Sequence, residues 1–349
     1  MKKSARRRRN AVTMHEVAKH IGVSPMTVSR VLSRDANVRD ATRRRVQAAI
    51  KELGYTPDVA ARNLAKASTT HIGLVYNNPS SAYLNELLVG VLAQSSQAGY
   101  QVVLEKCDIR GERAAITNLI KDGVNGIILP PPLSDSSAAL ETLRATKLPF
   151  IAVAGGRPEE EGLSVRINDF EAAAAMTRYL ISLGHRDLGF IVGAPNQTAS
   201  AQRYAGFVAA LHDAGLKLHS EWVKQGFFSY RSGLLAAEQL LATAERPSAI
   251  FASNDDMAAA TIAVAHRLQL DVPSDLTIAG FDDTPLAITI WPTLTTVRQP
   301  IAAMARKAVE LLLEEVRLRR HGRTLAPHQY IMKFSLVKRE SSATFKRKT

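Results

Sequence analysis

The stretch Val12-Thr-Met-His-Glu-Val-Ala-Lys-His-Ile-Gly-Val-Ser-Pro-Met-Thr-Val-Ser-Arg-Val-Leu32 decides the fold of the first part of this chain. Thr13 and Glu16 have the spacing of a capping box, which predicts a helix start. Gly22 favours a helix end, and Ser24-Pro25 favours a new start. Two helices joined by a turn of about three residues predict a helix-turn-helix unit, whose second helix enters a DNA major groove.

The second helix has an apolar and a polar side. Val28, Val31 and Leu32 form the inward stripe. The residues left to face DNA are Pro25, Met26, Thr27, Ser29 and Arg30. We expect apolar base contacts from the first two and base readout by the arginine, while the two hydroxyls hold phosphates or base edges. From the spacing alone, a helical hairpin with a solvated polar face is about equally compatible.

A third helix and a short segment follow. Val46, Ala49, Ile50 and Leu53 share one stripe of the third helix, and Arg43-Arg44-Arg45 is expected on its outer face. Residues 59–65 are too few for a stable helix in water, but they could fold when docked on a partner. Leu64 could then act as an apolar wedge in the DNA minor groove. A plain linker fits the spacing of this segment better.

Composition and charge narrow the class of protein. The 349 residues predict two or three folded parts, and the single cysteine argues against a disulfide scaffold. No apolar run approaches the roughly 20 residues of a membrane-spanning helix. Residues 1–66 hold 16 Lys or Arg against 5 Asp or Glu, whereas residues 67–316 hold 19 against 26. A basic head on an acidic body fits a polyanionic partner, although residues 2–9 alone fit a solvated leader better.

From His71 onward, short apolar strands alternate with amphipathic helices. The pattern runs from His71 to Val153 and restarts at Leu188, so it predicts two similar lobes with parallel sheets and a cleft between them. Ligands of such sheets lie at the carboxyl ends of the strands. Polar or aromatic residues follow the predicted strands or lie in nearby loops at Asn78, Arg203, Phe228, Asn254, Asp255, Asp256, Asp282, Asp283 and Trp291. They would suit a neutral polyhydroxylated ligand, but each taken singly is equally compatible with a helix cap or a core aromatic.

The motifs together resemble the LacI/GalR family of bacterial transcription regulators. In the head the resemblance rests on Val12 to Leu32, on Glu52-Leu-Gly-Tyr55 and on Ala60-Ala-Arg-Asn-Leu64. In the body it rests on segments that begin at Gly184, Ala201, Ser253, Gly280, Pro292 and Ser335. The resemblance implies a three-helix head, then a hinge helix that folds on operator DNA and inserts Leu64 into the minor groove.

The resemblance also assigns residues. Its DNA-contacting positions are Thr13, Ser24, Pro25, Met26, Thr27, Ser29, Arg30, Asn37, Arg62 and Leu64. Its effector-contacting positions are Asn78, Tyr83, Arg203, Phe228, Asn254 and Asp282. This sequence departs from the family pattern at two places. Arg39 replaces a small hydroxyl cap before the third helix, so capping is expected to shift to Asp40. Ala154-Gly155-Gly156 replaces an acidic residue that some sugar-binding members have.

These observations predict a fold and a division of the chain. We expect a small all-α helix-turn-helix head and a two-lobed α/β body with parallel sheets, like periplasmic binding proteins. The predicted parts are a basic leader (1–11), the DNA-binding domain (12–57), a hinge helix and linker (58–70), the effector-binding and dimerisation body (71–341) and a basic tail (342–349).

The predicted function is transcriptional repression. We expect a homodimer on a pseudo-palindromic operator, released when a small sugar binds the cleft, in the cytoplasm of a bacterium and on its nucleoid when bound to operator. No catalytic residue, metal or cofactor is expected.

Three alternatives stay open. A regulator could tighten on DNA with a corepressor such as a purine. A sugar-metabolising enzyme fits the body, with Asp255 and Asp256 as the only plausible acid/base pair, but the usual nucleotide, nucleophile and metal motifs are absent. A periplasmic binding protein would need a signal peptide and would have no use for residues 12–66.

Overall fold

A computed structural model describes residues 12–32, 38–53, 55, 71–108, 110–155, 162–242 and 245–346. The chain divides into two compact units between Thr69 and Thr70. Asn37, Arg62, Leu64 and the predicted leader and hinge helix lie outside the described residues, as do the side chains of Ser29 and Leu32.

The first unit contains three helices, α1 (Met14–Ile21), α2 (Pro25–Leu32) and α3 (Asp40–Glu52). The predicted capping box is present, because the backbone N–H of Thr13 donates to Glu16 Oε2 at 2.6 Å and the Glu16 N–H donates to Thr13 Oγ1 at 3.3 Å. Gly22 ends α1 with φ of 66°, a left-handed conformation that glycine adopts readily. A small core joins the helices, centred on Val17, Val28, Val31, Val46 and Ala49.

Arg44 and Arg45 of α3 are exposed, as predicted, and Arg43 is half-buried. Arg45 donates to the carbonyl of Ile21 at 2.8 Å, so it closes the C-terminal end of α1, and Arg43 donates to the carbonyl of Val38. Arg39 precedes α3 without a side-chain cap, and Asp40 is the first helical residue instead of the cap we expected. Part of this basic cluster therefore holds the head together.

The second unit is a two-lobed α/β body. The elements of its amino-terminal half are β1 (His71–Tyr76), α4 (Ser81–Gln97), β2 (Gln101–Lys106), α5 (Glu112–Lys121), β3 (Ile127–Leu129), α6 (Ser137–Thr146), β4 (Phe150–Val153), β5 (Leu163–Ile167) and α7 (Asp169–Ser182). The next elements are β6 (Leu188–Val192), α8 (Thr198–Asp213), β7 (Val223–Gln225), α9 (Tyr230–Leu241), β8 (Ala249–Ala252), α10 (Asp255–Arg267), β9 (Thr277–Asp282), α11 (Leu286–Thr289) and β10 (Thr295–Arg298). The last are α12 (Ile301–Arg320), β11 (His328–Met332) and β12 (Ser335–Val337).

Each lobe is built on a six-stranded sheet. The first has the order β11-β5-β4-β3-β1-β2 with all strands parallel, and the second has the order β12-β10-β9-β8-β6-β7 with only β12 antiparallel. The central strands are buried on both faces, as parallel sheets covered by helices require. The predicted fold class, a helix-turn-helix head and a two-lobed α/β body, is confirmed.

The lobes are not consecutive halves of the sequence. The chain leaves the first lobe between β5 and α7, returns to it between β10 and α12, and leaves again between β11 and β12. Helix α12 packs against α4 and against β3, β4 and β5 of the first lobe. Three chain segments therefore connect the lobes.

Candidate ligand cleft and DNA-reading helix

All six predicted effector residues line one cleft between the lobes. They are Asn78, Tyr83, Arg203, Phe228, Asn254 and Asp282. The cleft lies at the carboxyl ends of the strands, where parallel sheets bind ligands. Its remaining walls come from Pro79, Ser80, Pro131, Ala154, Gln197, Ala199 and Gln299. The interior has about 30 Å³ of free space in this closed arrangement, so the lobes have to separate to admit a ligand larger than a few water molecules.

Arg203 organises the second-lobe wall. Its side chain is only 6% exposed, and Nε donates to Asp169 Oδ1 at 2.8 Å while Nη1 donates to the carbonyl of Ser253 at 2.6 Å. Nη1 also lies 3.7 Å from Asp282 Oδ1. The guanidinium stacks on the ring of Phe281, with its carbon 3.6 Å from the ring centroid. One cation thus faces two buried carboxyl groups.

Burial controls the charge of these carboxyl groups. It raises the pKa of Asp282 well above the ordinary value, and Arg203 opposes that shift. The pKa of Asp169 is raised for the same reason and is likewise opposed by Arg203. Burial thus disfavours the charged form of both carboxyl groups, and the single guanidinium of Arg203 offsets part of that cost.

Two of the predicted contact residues use their hydrogen bonds within the protein. Asn78 donates through Nδ2 to the carbonyl of Pro131 and accepts from the Ser80 N–H. Asn254 caps α10 by accepting from the Met257 N–H, and its Nδ2 donates to the carbonyl of Phe228 at 3.0 Å. Both amides therefore shape the wall, and each keeps part of its hydrogen-bonding capacity for a ligand.

Unsatisfied polar atoms in the cleft lie on other residues. Tyr83 Oη and Gln299 Oε1 are buried and have no hydrogen-bond partner in the described part of the chain. Gln299 Nε2 is held by Asp282 Oδ1 at 2.6 Å, so its free oxygen has a fixed position. Buried polar groups normally find a partner, so this donor and this acceptor indicate a ligand. The sequence analysis missed Gln299, although its position just after β10 marks it as a strand-end residue.

The backbone around the cleft is unusually strained. Phe228, Ala154 and Asp282 line the cleft and have positive φ values of 58°, 52° and 121°. Non-glycine residues in this region cost of the order of 1–3 kcal/mol each, and such residues cluster at ligand sites. The ring of Phe228 is buried, as expected for a stacking surface.

Hydrogen bonds join the two lobes on either side of this cleft. Ser80 of the first lobe donates to Asp256 Oδ2 of the second lobe at 2.5 Å. Asp135 of the first lobe accepts from the backbone N–H of Thr198 at 2.9 Å and from its hydroxyl at 2.8 Å. These contacts hold the lobes in a closed arrangement.

Four of the nine predicted polar or aromatic residues do not line the cleft: Asp255, Asp256, Asp283 and Trp291. Trp291 is 73% exposed on the outside of the second lobe and does not line the cleft. Asp255 is buried in the second lobe, where it accepts from the Thr284 N–H and from the hydroxyls of Thr284 and Thr296. A residue so fully bonded stabilises the loop before α11, and it cannot form an acid/base pair with Asp256.

The N-terminal end of α2 carries the predicted DNA-reading residues. Ser24 caps the helix by accepting from the Thr27 N–H at 3.1 Å, and its Oγ lies 2.9 Å from Thr27 Oγ1. Met26 is 64% exposed and Arg30 is exposed on the same helix, while Val28 is buried in the head core. Pro25 is half-buried. An apolar and a cationic side chain are thus displayed on one helix, as base readout requires.

Among the residues that the structure describes, no group of three or more His, Cys, Asp or Glu side chains is placed to hold a metal ion. None of the helices described is long and apolar enough to cross a membrane.

Comparison with known proteins identifies the family. Residues 13–58 match the bacterial regulatory proteins of the lacI family, and residues 177–342 match the periplasmic binding protein-like domain. The HTH-type transcriptional repressor PurR of Pectobacterium atrosepticum is 35% identical over 316 residues, covering 88% of this chain and 91% of the relative. PurR of Escherichia fergusonii is 34% identical over 312 residues, covering 87% and 90%.

Comparison with solved structures supports the same family assignment. A transcriptional regulator CelR–cellobiose complex superposes with a TM-score of 0.73 at 30% identity, covering 95% of this chain and 100% of that one. The lac repressor dimer bound to operator and the anti-inducer ONPF gives a TM-score of 0.79 at 26% identity, covering 96% and 100%. The fold and cleft thus define a DNA-binding regulator with a periplasmic-binding-protein-like body. This chain belongs to the LacI family and is a DNA-binding transcriptional repressor, not an enzyme.

Proposed function

We propose that this repressor binds its operator as a homodimer and that a purine base in the interlobe cleft acts as its corepressor. The single observation that carries the ligand site is the pair of unsatisfied buried atoms, Tyr83 Oη and Gln299 Oε1, in a closed polar cleft. The relatives named PurR favour the purine corepressor over the sugar inducer that the sequence first suggested.

The hydrogen-bonding groups of the cleft support a flat ligand. Asn78 and Asn254 use part of their hydrogen-bonding capacity within the wall, and Asp282 is shared by Arg203 and Gln299. A sugar carries hydroxyl groups around its whole rim and would need acceptors on several sides, whereas a purine concentrates its donors and acceptors on the ring edges. The Phe228 ring supplies an apolar face for stacking.

A sugar effector is the second candidate, because the CelR structure of similar fold is a cellobiose complex. Calorimetric titration of the purified chain with hypoxanthine, guanine and a panel of mono- and disaccharides separates the two. Operator affinity is then measured by fluorescence anisotropy with each binder, on a duplex selected from random sequence. Tighter DNA binding with a purine supports the proposal, and release from DNA by a sugar contradicts it.

Tyr83→Phe provides a sharp test of the site. The substitution removes only a hydroxyl that has no protein partner, so the folded chain should keep its thermal midpoint. Losing one ligand hydrogen bond should weaken ligand binding about 5- to 150-fold, equivalent to about 1–3 kcal/mol. Tyr100→Phe, outside the cleft, is the matched control. Equal ligand affinity for Tyr83→Phe and the parent would place the ligand elsewhere.

Exposed apolar side chains on the body support the homodimer. Phe227, Ile288 and Trp291 of the second lobe and Val89 of the first lobe are at least half exposed. Large exposed apolar residues are typical of protein interfaces. Ile288→Asp combined with Trp291→Asp should halve the mass measured by light scattering, whereas Leu268→Asp, a similarly exposed leucine, should not.

The proposal also assigns DNA contacts to residues of the head. We assign base contacts to Pro25, Met26 and Arg30 and phosphate or base-edge contacts to Thr27 and Ser29, while Thr13 and Ser24 hold the helix ends near the backbone. Asn37, Arg62 and the minor-groove wedge Leu64 keep their sequence-based assignment. Leu64→Ala should weaken specific binding more than non-specific binding, because it removes a wedge and no charge.

A further inference from the structure

The first lobe has a strongly basic edge that ligand binding does not explain. In each lobe, four helices end beside the amino ends of the strands that follow them in the chain. In the first lobe these are α4, α5, α6 and α12, which lead into β2, β3, β4 and β11. We call this end of the first lobe, formed by the last four residues of each helix and the loop to the next strand, the basic edge.

Charge is very unequal between the two lobes at this position. The basic edge carries seven cationic residues, Lys121, Arg144, Lys147, Arg317, Arg319, Arg320 and Arg323, against one acidic residue, Asp122. The same positions of the second lobe carry four cations, Arg186, Lys217, Arg246 and Arg267, against seven acids, Asp187, Asp213, Glu221, Glu238, Glu245, Asp271 and Asp275.

The helix dipole does not explain the difference in charge between the two lobes. Cations at helix C-termini are stabilised by the helix dipole, and that effect acts equally on both lobes because they share one plan. The dipole therefore cannot account for an excess found in the first lobe alone. The arginine-rich end of α12 also carries part of the basic charge that the sequence concentrates after residue 316.

The ends of α12 and α6 are joined within the basic edge. Arg319 of α12 donates to the carbonyl of Lys147 at the end of α6, and its Nε pairs with the buried Glu315. Arg317, Arg320 and Arg323 are exposed, and none of them makes a hydrogen bond or ion pair with another described residue. Three uncommitted guanidinium groups thus lie beside an arginine that fixes the two helix ends together.

The chain from the DNA-binding head enters the body at this edge. β1 begins at His71, in register with the start of β2, and β11 begins in register with β5. The fifteen residues 56–70 between the described parts span at most about 50 Å when extended. DNA held by the head is therefore tethered to the body by this segment, which raises the effective concentration of DNA at the body surface.

We propose that the basic edge is a second DNA-contacting surface, which binds the phosphate backbone of the duplex that flanks the operator. Guanidinium groups suit phosphate oxygens, and such contacts carry no base specificity. They would strengthen binding and increase its salt dependence without changing the sequence that is read. This inference rests on DNA binding by the head and is independent of the identity of the cleft ligand.

The test uses the full chain and Arg317→Ala/Arg320→Ala/Arg323→Ala. Arg319 is left intact because it ties α12 to α6. Operator affinity is measured between 50 and 250 mM salt on a duplex of about 20 base pairs, which covers two half-sites, and on one of about 60 base pairs. Each lost phosphate contact lowers the slope of log affinity against log salt by about 0.9, so the long duplex should show a fall of about 1 to 5 for a dimer.

The control measurements separate failure of this proposal from failure of DNA reading by the head. Lys217→Ala/Arg231→Ala/Arg246→Ala removes the same charge from exposed positions of the second lobe and should leave the slope on both duplexes unchanged. The short duplex should bind the parent and the edge variant with equal slopes. An edge variant that matches the parent on the long duplex overturns the proposal, as would happen if the acidic run Glu159 to Glu161 neutralised the arginines. A parent without operator preference would instead overturn DNA reading by the head.

Discussion

The ring of Phe228 occupies the space that any side chain at Gly193 would need. A Cβ atom on Gly193 would lie 2.0 Å from Cζ of that ring, far inside van der Waals contact. The glycine after β6 thus lets the aromatic ring pack directly on the backbone and form the wall of the cleft. The glycine that follows β6 therefore controls the position of a ligand-facing ring that follows β7, the next strand in the chain.

Gly193→Ala should displace Phe228 and weaken ligand binding at least about tenfold, since overpacking of this kind costs about 1–3 kcal/mol. Operator binding without ligand should remain. Calorimetry and anisotropy measure the two quantities. Gly162→Ala, where a Cβ meets nothing within 4 Å, is the matched control. Unchanged ligand affinity in Gly193→Ala would show that Phe228 does not form the ligand surface.

Arg203→Ala should abolish the response to ligand, because it removes the cation that fixes Asp169 and Asp282. Burial raises the pKa of both carboxyl groups and Arg203 opposes that shift, so without it their charged forms are less favourable. We expect a less stable but folded protein that still binds operator. Arg203→Lys keeps the charge but loses the fork of donors, and should behave likewise with less loss of thermal stability. A ligand response equal to that of the parent in either variant contradicts the role of Arg203.

The bonds between the lobes should stabilise the closed arrangement. Asp256→Ala removes the acceptor for Ser80 but leaves Ser80 as the cap of α4. The open form should become more populated, which lowers apparent ligand affinity in proportion to the fraction closed. We expect a few-fold loss and a larger radius of gyration in solution scattering. Asp213→Ala, exposed and remote from the cleft, should change neither quantity.

Asp255 should make stability fall as the pH rises. Burial raises its pKa to about 7 in the folded chain, from an ordinary value near 4. Between these values the folded state holds a proton that the unfolded state has lost, so the free energy of unfolding decreases by up to about 1.4 kcal/mol per pH unit. Asp255→Asn should flatten the dependence of the thermal midpoint on pH from 4 to 7. Asp213→Asn should leave it unaltered.

Local sequence signals predicted the head and the cleft well. Thr13, Glu16, Gly22 and Ser24 act through neighbours within four residues, so their roles could be read directly from spacing. The strand-end rule also placed Arg203 and Asp282 in one cleft, because parallel strands end at a common edge. These predictions depend on short-range chemistry and on the repeated strand–helix pattern.

Contacts between residues far apart in the sequence could not be predicted from these local signals. Asn254 lines the cleft as predicted, but the bond from its amide to the carbonyl of Phe228, 26 residues away, was not predicted. Arg45 is exposed as predicted, but its bond to the carbonyl of Ile21, 24 residues away, was not predicted either. Trp291 was expected beside the ligand, since a loop aromatic carries no periodicity that tells its direction. Such contacts depend on how separate elements pack, which one sequence does not encode locally.

The three passages of the chain between the lobes restrict how this body can be divided. The first sheet is finished only by α12 and β11, which are encoded after nearly all of the second sheet. A gene fragment that stops near residue 168 would lack one edge strand and the longest helix, and would expose the apolar surface they cover. Such a fragment does not encode a complete sheet, so we expect that its part of the body would not fold when expressed by itself.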